Sequence, residues 1–479
     1  MKSSKIIGIP PVGKMVLEIL KKRAFKSNQI PIGKALEKQG KLLEVKFKKM
    51  ETTEIGRKLG VHKGLQLQSL QITDYSFYEP FFNNPTPSAF MYPLEDYLRV
   101  RTSGTTGKEK WFLIPQQAIK NSFRRTGLLA LLASFHNGEK INLEYGDVAY
   151  VNVSPRPFLG GTILSSSGDV GFIKIVPNFD LSYRDKVSYF ISNYEKIDAA
   201  TLHASTLISQ IMPAIGKPIS LKGVSVRDSQ VGEMYKEKIK DFVGCYPKTS
   251  YGSTETLICS FSSVQHPLGF IFDWREGITE FKPIKNNTPM DELIGMDEVK
   301  VGGTYELVFT SFDTEITRLD TNDAFSCVAM GDNVLGIDYP VFKFEGRTDK
   351  VLSVQNFARV TEDELIKVFK NASISFVEFT AKTEIENGLE HLAIYVEVYQ
   401  EDLPVEEVKE QVHKQLCKID QDYKELVDFF EYVPLKIHLM PKGVFSKYVQ
   451  ERPGMPRVDR INMVDEEFRK LLKLMKEKG

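Results

Sequence analysis

The chain has 479 residues, of which 42% are hydrophobic and 26% charged, and its 63 Lys and Arg residues balance its 63 Asp and Glu residues. This composition is that of a globular protein and excludes a largely disordered chain, a collagen-like fibre and a coiled-coil rod. Without a basic surplus, sequence-independent nucleic-acid binding is disfavoured, although a local basic groove stays possible. The length corresponds to about three structural units, or to one large and one small domain.

Targeting and cofactor signals are weak along the chain. The 4 cysteines have no CxxC spacing, so neither a disulfide framework nor a zinc site is predicted. The most apolar stretch, residues 127–135, is shorter than the ~20 residues of a membrane helix. Pro10, Pro11 and Lys14 interrupt any signal-peptide core. We therefore expect a cytoplasmic protein with no membrane and no nucleic-acid partner.

In chain order, the pattern changes from helical to alternating. Residues 12–70 carry apolar residues at spacings of three and four, which predicts helices. Residues 80–97 are rich in proline and predict an ordered surface loop. Alternating elements follow, namely strands at 147–153 and 172–177 and helices at 183–194 and 207–215. This alternation predicts a parallel or mixed sheet covered by helices on both faces.

After about residue 270 the sequence is rich in strands, which we place at 305–310, 325–328 and 341–344. The last 130 residues or so predict a separate small unit of α+β type. It contains strands 376–380 and 392–398 paired across Asn387-Gly388, a helix at 405–418 and a strand at 435–439. The predicted fold is α/β, with a large N-terminal domain of mixed or parallel sheets over residues 1–349 and a small α+β C-terminal domain over 350–479.

The most informative segment combines glycines, hydroxyls and lysines. It reads Thr102, Ser103, Gly104, Thr105, Thr106, Gly107, Lys108, Glu109, Lys110. Glycine lets backbone N–H groups approach an anion closely and hydroxyls add donors, so the segment suits a polyphosphate. It is not a Walker A loop, because that motif needs Gly at 102 and Ser or Thr at 109. A flexible hairpin turn is the alternative for this segment alone.

Two further segments occur downstream. The first reads Tyr251, Gly252, Ser253, Thr254, Glu255, and the second reads Gly346, Arg347, Thr348, Asp349, Lys350, with Asp323 upstream of it. Together with the glycine-hydroxyl segment, their order and spacing resemble those of the adenylate-forming superfamily of acyl-CoA synthetases, peptide adenylation domains and luciferases. That family carries a TSGTTGxxK loop, a YGSTE segment and an acidic residue preceding GRxDK.

Within the superfamily the sequence is most similar to the acyl-acid amido synthetases first known as auxin-responsive proteins, and to their prokaryotic relatives. The stretches that resemble this branch are residues 51–61, 74–81, 305–323 and 341–347. The phenylacetate-CoA ligase branch is the second possibility.

The resemblance implies a role for each matching residue. ATP phosphates would be held by Thr102, Ser103, Gly104, Thr105, Thr106 and Gly107, with Lys110 as the lysine of the loop. Adenine would stack near Tyr251, beside Gly252 and Ser253, while Thr254 and Glu255 would bind phosphate and Mg²⁺. Asp323 would accept the ribose hydroxyls, Arg347 would reach ribose or phosphate, and Asp349 or Lys350 would form the hinge. The alternatives are a solvated strand-end carboxylate for Glu255 and a surface salt bridge for Arg347.

These residue types suit the reaction that the resemblance implies. A carboxylate that attacks the α-phosphate brings two anions together, so Mg²⁺, backbone amides and cations must stabilise the transition state. The expected function is ATP-dependent activation of a small carboxylic acid to an acyl-adenylate with release of pyrophosphate, followed by transfer to an amine. Transfer to coenzyme A is one alternative, and a catalytically inactive nucleotide-binding homologue is another. The C-terminal domain would act as a mobile lid.

Several positions depart from the family pattern or stay open. Glu109 stands where a proline is usual, and Asn322 replaces a glycine before Asp323. The C-terminal region offers Lys442 and Lys447 as candidate catalytic lysines, but without a motif match; solvated lysines are the alternative.

Two further features have two interpretations each. His203 could line the acyl pocket or act as a base, or it could cap or pack against the following helix. Residues 157–162 could form an acyl-pocket loop or a packing turn with close backbone approach.

Overall fold

The computed structural model describes residues 9–102, 110–167, 170–285, 288–348, 351–400, 403–450 and 458–478. The described residues divide into two compact units, the first with residues up to 102 and 110–346 and the second with residues from 347 onward. Helices and strands of the described residues are numbered here in chain order.

The first unit begins with helices, as the apolar spacing of residues 12–70 predicts. The helices of this unit are α1 Pro10–Arg23, α2 Ile32–Met50, α3 Glu54–Leu59, α4 Tyr75–Asn83, α5 Gln116–Ser122, α6 Leu128–Ser134, α7 Leu159–Ser167, α8 Tyr183–Asn193, α9 Ala204–Thr206, α10 Met212–Ile215, α11 Ser229–Met234 and α12 Lys236–Val243. A π-helical turn joins α5 to α6 and another joins α9 to α10.

The predicted loop at 80–97 is wrong at its start, because α4 runs on to Asn83. The side chain of Asp74 accepts a hydrogen bond from the Phe77 backbone N–H and caps the helix. Tyr78 and Phe82 are buried on one face, so tertiary packing overrides the helix-breaking tendency of Pro80.

A four-stranded parallel sheet forms the first α/β layer, as the alternating pattern predicts. Its strands are β3 Val148–Val151, β4 Lys174–Val176, β5 Ala199–Leu202 and β6 Gly223–Val226, in the order β4-β3-β5-β6. Next to β6, Lys248 pairs with Ser225 in a parallel bridge. The segment that begins at Tyr251 therefore leaves the sheet at the carboxyl edge of the strands.

A seven-stranded sheet follows, as the strand-rich texture after residue 270 indicates. Its strands are β9 Ser260–Ser262, β10 Phe270–Phe272, β11 Gly277–Lys285, β12 Thr288–Pro289, β13 Thr304–Ser311, β14 Leu319–Asp332 and β15 Ile337–Arg347, in the order β12-β11-β13-β14-β15-β10-β9. Two hairpins accompany it, β1 Tyr97–Thr102 with β2 Lys110–Pro115, and β7 Gly252–Ser253 with β8 Leu257–Ile258. Phenylalanines 270, 272, 281, 325 and 342 fill the core of this sheet.

The second unit is a small α+β assembly. Its elements are β16 Val351–Val354, β17 Ala358–Thr361, α13 Glu362–Asn371, β18 Phe376–Glu386, β19 Leu389–Val398, α14 Val405–Ile419, α15 Gln421–Phe430, β20 Leu435–Leu439, α16 Val444–Gln450 and α17 Asp465–Lys478. Asn387 and Gly388 have φ angles of 52° and 82°, the left-handed pair that a tight hairpin requires. The predicted pairing across this turn is confirmed by the β18–β19 register.

Two sequence expectations can be compared with the described part of the chain. Cys259 and Cys327 are buried free thiols, and Cys245 and Cys417 are half-buried free thiols. Across the described ranges, none of the helices combines the length and the hydropathy that a membrane span requires.

A buried carboxyl group caps α15 in the second unit. Asp420 is 1% exposed, and its Oδ1 accepts hydrogen bonds from the backbone N–H groups of Asp422 at 2.8 Å and Tyr423 at 3.1 Å. Its Oδ2 has no hydrogen-bond partner among the described residues. Burial is the main cause that raises the pKa of Asp420 to about 7, and the charges of Glu364 and Asp422 add to it.

We predict that Asp420→Asn stabilises the second unit at pH 8 but not at pH 4. The folded chain holds the Asp420 proton more tightly than the unfolded chain, so stability from this group is present below the unfolded pKa of about 4 and is lost as the pH rises to about 7. Asn keeps the cap without the charge, so the gain should reach about 2 kcal/mol at pH 8.

Hydrogen exchange of α15 peptides between pH 4 and pH 8, corrected for intrinsic rates, measures this difference. The matched control is Asp428→Asn, which changes an exposed carboxylate on the same helix. A pH-independent difference for Asp420→Asn would show that the cap carries an ordinary ionised aspartate.

Candidate functional site

The glycine-hydroxyl segment connects the two strands of the β1–β2 hairpin. Thr102 and Lys110 are cross-strand partners at the end of that hairpin. The predicted phosphate-binding residues between them, Ser103, Gly104, Thr105, Thr106 and Gly107, lie outside the described residues. The part of this segment that the structure describes is therefore the base of the hairpin, at Thr102 and Lys110.

Tyr75 of α4 holds that base in place, and sequence reasoning did not single it out. Its hydroxyl lies 3.1 Å from both the backbone N and the backbone O of Trp111, donating to the oxygen and accepting from the N–H. The Nζ of Lys110 lies 5.1 Å from the centroid of the Tyr75 ring, within the range of a cation–π contact. Because Lys110 precedes Trp111, Tyr75 fixes the point from which the lysine side chain emerges. The only sequence signal was the family resemblance of residues 74–81.

The YGSTE segment forms the tight β7–β8 hairpin. Gly252 faces Ile258 in this ladder, and a Cβ at Gly252 would lie 2.3 Å from the carbonyl oxygen of Leu257. No side chain other than hydrogen fits there. The backbone N–H of Ser253 donates to Thr256 Oγ1 at 3.0 Å, and that of Thr256 donates to Ser253 Oγ at 3.2 Å. These bonds hold the three-residue loop that presents Thr254 and Glu255, both partly exposed.

A second hydroxyl anchors this hairpin to the helical layer. Ser122, the last residue of α5, has its Oγ 3.1 Å from both the backbone N and the backbone O of Ile258. Leu257 adopts a φ of 57°, an uncommon angle for a residue other than glycine. The hairpin tip is thus held in one conformation by its own bonds and by α5.

Tyr251 and Asp323 form a buried pair beside the hairpin. The Tyr251 hydroxyl donates to Asp323 Oδ2 at 2.7 Å, and its ring packs edge-to-face on Phe325 with centroids 4.8 Å apart. Burial is the main cause that raises the pKa of Tyr251 well above its usual value, and the charge of Asp323 adds to it. Asn322 has a φ of 55°, so the residue that replaces the family's glycine is one that tolerates the left-handed conformation.

Glu255 connects the two halves of the site. Burial raises the pKa of Tyr75 and of Tyr251, and the negative charge of Glu255 raises both further, so its carboxylate lies near both rings. The structure therefore brings Lys110, Glu255 and the Tyr251–Asp323 pair to one region of the first unit.

The ligands near Glu255 suit Mg²⁺ better than a metal ion that is coordinated entirely by protein side chains. Within the described ranges, no group of three or more His, Cys, Asp or Glu side chains could hold a metal ion. Mg²⁺ commonly takes one or two carboxylates and completes its shell with phosphate oxygens and water. The partly exposed carboxylate of Glu255 fits that arrangement.

The remaining predicted residues are placed as follows. Arg347 is the last residue of β15 and is partly exposed, while Asp349 and Lys350 lie outside the described residues. Lys442 is exposed in the turn after β20, and Lys447 lies in α16. In the second unit, the buried carboxylate of Glu397 accepts from the Gly443 N–H at 2.7 Å, which holds the turn that carries Lys442.

The carboxyl edge of the parallel sheet carries His203. This residue occupies the N-cap position of α9, but its side chain makes no capping bond. Asp228 caps α9 instead, by accepting from the backbone N–H groups of Ala204 and of Ser205, the latter at 2.9 Å. Burial lowers the pKa of His203 to about 4, so the imidazole is neutral at pH 7.

Residues 157–162 run from the turn before α7 into its first turn and pack closely on the preceding loop. A Cβ at Gly161 would lie 2.5 Å from the backbone N of Arg156, and a Cβ at Gly160 would lie 2.8 Å from Cβ of Val153. Close backbone approach explains both glycines. The packing-turn interpretation therefore accounts for this segment.

Comparison with known proteins gives limited sequence similarity. No family model matches the sequence. The 4-substituted benzoates-glutamate ligase of Arabidopsis thaliana is 26% identical over 191 residues, which is 37% of this chain and 30% of the ligase. The jasmonoyl–L-amino acid synthetase of Nicotiana attenuata is 24% identical over 245 residues, 47% of this chain and 40% of the synthetase. The alignments therefore span less than half the length of either relative.

Comparison with solved structures covers nearly the whole chain. The 2-hydroxyisobutyryl-CoA ligase in complex with 2-HIB-AMP and CoA in the thioesterification state gives a TM-score of 0.64 over 94% of both chains, at 15% identity. An acyl acid amido synthetase in complex with 2,4-DB gives 0.52 over 95% of both chains, also at 15% identity. The predicted α/β class is confirmed. The chain has the fold of these two solved enzymes, and parts of its sequence are similar to those of the glutamate ligase and the amino acid synthetase named above.

Proposed function

We propose that the protein activates a carboxylic acid with ATP to form an acyl-adenylate, releases pyrophosphate, and transfers the acyl group to an amine. The observation that supports this most directly is the convergence of Lys110, Glu255 and the Tyr251–Asp323 pair beside the hairpin whose connection is the glycine-hydroxyl segment. A cation, a metal-binding carboxylate and a ribose acceptor are the groups that an adenylation site needs.

Each described residue has a proposed role. Lys110 neutralises phosphate charge, and Glu255 with Thr254 would hold Mg²⁺ against the phosphates. When bound, the metal would withdraw charge from the α-phosphate and lower the barrier to carboxylate attack. Asp323, oriented by the Tyr251 hydroxyl, accepts the ribose hydroxyls.

The amine acceptor rests on sequence similarity. Both aligned relatives are described as ligases or synthetases that join an acid to glutamate or to an amino acid. Coenzyme A is the alternative acceptor, supported by the structural similarity to a CoA ligase. We further propose that residues up to about 349 form the ATP- and acyl-binding domain, that the rest forms a mobile lid, and that Arg347 and the Asp349–Lys350 hinge complete the site.

Exchange of labelled pyrophosphate into ATP should occur in the presence of some members of a panel of carboxylic acids. Glu255→Gln should lower kcat/KM for this exchange by about 100-fold, because the transition state loses a metal ligand. The same variant should need more Mg²⁺ for half-maximal exchange. These quantities are measured by titrating acid and Mg²⁺ separately.

The matched control is Glu139→Gln, an exposed carboxylate outside the site, which should exchange at the native rate. If the chain binds Mg-ATP but no acid in the panel supports exchange, the protein is the catalytically inactive homologue instead. Product analysis with amino acids and with coenzyme A then decides the acceptor.

Tyr75→Phe should raise the KM for ATP in this exchange by about fivefold, the effect of losing one hydrogen bond that positions Lys110. The control is Tyr78→Phe on the same helix. The Tyr78 hydroxyl pairs with the backbone N and O of Thr317 at 2.9 and 3.0 Å, so each variant loses two hydrogen bonds to the backbone of one residue. Equal KM values for ATP in the two variants would show that Tyr75 only stabilises the fold and does not position Lys110.

Asp323→Asn should abolish discrimination between ATP and 2′-deoxy-ATP, since a charged acceptor for the ribose hydroxyl is lost. The native enzyme should prefer ATP by about tenfold or more. Tyr251→Phe leaves the carboxylate in place but unoriented, so it should lose only part of the preference. Steady-state exchange with each nucleotide measures the ratio, and an unchanged ratio in Asp323→Asn would remove Asp323 from the site.

A further inference from the structure

A cluster of buried polar side chains lies at the carboxyl edge of the parallel sheet. Asn152, directly after β3, is fully buried, and neither atom of its side-chain amide makes a hydrogen bond of normal length and angle with the described residues, although the side chain lies beside Tyr150 and interacts with it. Ser205, in α9 after β5, is also fully buried, and its Oγ has no partner within the described ranges. Native proteins leave few buried polar groups unpaired, and those groups call for a functional explanation.

The two side chains belong to one polar layer between the sheet and α8. Burial raises the pKa of Tyr150, and the Asn152 amide partly offsets that rise, so Asn152 lies beside this tyrosine. Burial is the main cause that raises the pKa of Tyr183 in α8, and the charge of Tyr150 adds to it. The Tyr183 hydroxyl pairs with that of Thr206, the neighbour of Ser205. The layer therefore runs from β3 to the first turn after β5.

The sheet topology places this layer where ligands bind in open α/β sheets. The chain leaves β3 towards β4 on one side and leaves β5 towards β6 on the other, so the connections reverse between β3 and β5. A crevice forms outside the carboxyl ends of two such strands. Asn152 follows the first of these strands and His203 follows the second.

The same edge leads to the candidate adenylation site. Beyond β5 and β6, the bridge at Lys248 adds one more chain segment, which continues into Tyr251 and the β7–β8 hairpin. Three strand spacings separate Asn152 from that segment, which is about 14 Å at the usual inter-strand distance. An acid whose carboxylate lies near the hairpin would direct its other end towards Asn152.

The side chains of the polar layer indicate which chemical group of a bound acid could lie beside Asn152 and Ser205. An amide offers both a donor and an acceptor, and a serine hydroxyl does the same. The buried carboxylate of Asp228 is engaged in capping α9, and the Lys186 ammonium donates to the carbonyls of Val153 and Phe179, each at 2.8 Å. Burial disfavours a charged occupant, so a neutral group that both donates and accepts fits best.

We propose that the substrate acid carries a neutral hydrogen-bonding substituent, a hydroxyl in the first instance, at the end remote from its carboxylate, and that Asn152 and Ser205 bind it. This inference rests on the proposed adenylation activity. It assigns Asn152 and Ser205 to substrate specificity and leaves the adenylation step to the residues around the β7–β8 hairpin.

The test compares acids in pairs that differ only in the remote group, for example 3-(4-hydroxyphenyl)propanoic and 3-phenylpropanoic acid, in pyrophosphate exchange. The native chain should favour the hydroxylated acid in kcat/KM by about 100-fold, because an acid without the hydroxyl leaves buried donors and acceptors unpaired. Asn152→Leu should bring this ratio close to one. The ratio is insensitive to partial loss of folded protein.

The matched control is Asn28→Leu. Asn28 is likewise fully buried with both amide atoms unpaired in the described part of the chain, but it lies between α1 and α2. Its replacement should leave the ratio unchanged. If Asn152→Leu does not accumulate as folded protein, Ser205→Ala, which removes one hydroxyl, should lower the ratio in the same direction.

Calorimetric binding of the same acids in the presence of α,β-methylene-ATP gives a second readout that does not depend on turnover. A native ratio near one, or a ratio unaffected by both substitutions, would show that Asn152 and Ser205 hold only ordered water. The panel also includes 3-(4-carboxyphenyl)propanoic acid, and a preference for this dicarboxylic acid over the hydroxylated acid would overturn the assignment of a neutral remote group. If no acid in the panel supports pyrophosphate exchange, the proposed function itself is refuted.

Discussion

The candidate site depends on side-chain hydroxyls that satisfy the backbone at strand ends. Three hydroxyls each pair with both the N–H and the C=O of a single residue, namely Tyr75 with Trp111, Tyr78 with Thr317 and Ser122 with Ile258. A hydroxyl that bonds to both backbone groups of one residue adds two hydrogen bonds at that residue, each worth about 1 kcal/mol. Removing the hydroxyl loses both bonds, so each of the three hydroxyls helps to fix the segment that it contacts.

The same segments contain residues in left-handed backbone conformations. Leu257 and Asn322 adopt left-handed φ angles of 57° and 55°, and Gly252 admits no Cβ because of the Leu257 carbonyl. Conformations of this kind persist only where surrounding contacts over-determine them. The hydrogen bonds of the β7–β8 hairpin and the Tyr251–Asp323 pair supply those contacts, so Glu255 and Asp323 are held in place before any nucleotide binds.

The sequence alone indicated the motif residues, because glycine, hydroxyl and carboxylate patterns at these sites are dictated by phosphate chemistry. It did not indicate Tyr75, whose position depends on its contact with Trp111, or Asn152, whose place beside the crevice depends on the strand order. The helix through Pro80 was missed for the same reason, since the burial of Tyr78 and Phe82 outweighs a local preference. The parallel sheet was predictable from alternation, whereas its strand order, which places the crevice, was not.

Charge is distributed unequally along the carboxyl edge, and this distribution sets the orientation of a bound acid. The hairpin end carries Lys110 and a carboxylate suited to Mg²⁺, so it stabilises negative charge on phosphate and on an attacking carboxylate. The opposite end presents Asn152, Ser205 and a His203 imidazole that burial keeps neutral by lowering its pKa to about 4. The cations at that end already have partners, since Lys186 donates to two backbone carbonyls and Arg227 interacts with Asp228. A carboxylate there would lose its hydration and compete with those partners, which is costly in a buried layer. In the proposed reaction the acid would bind with its carboxylate towards the phosphates, and the neutral chain balance of 63 basic and 63 acidic residues conceals this polarity.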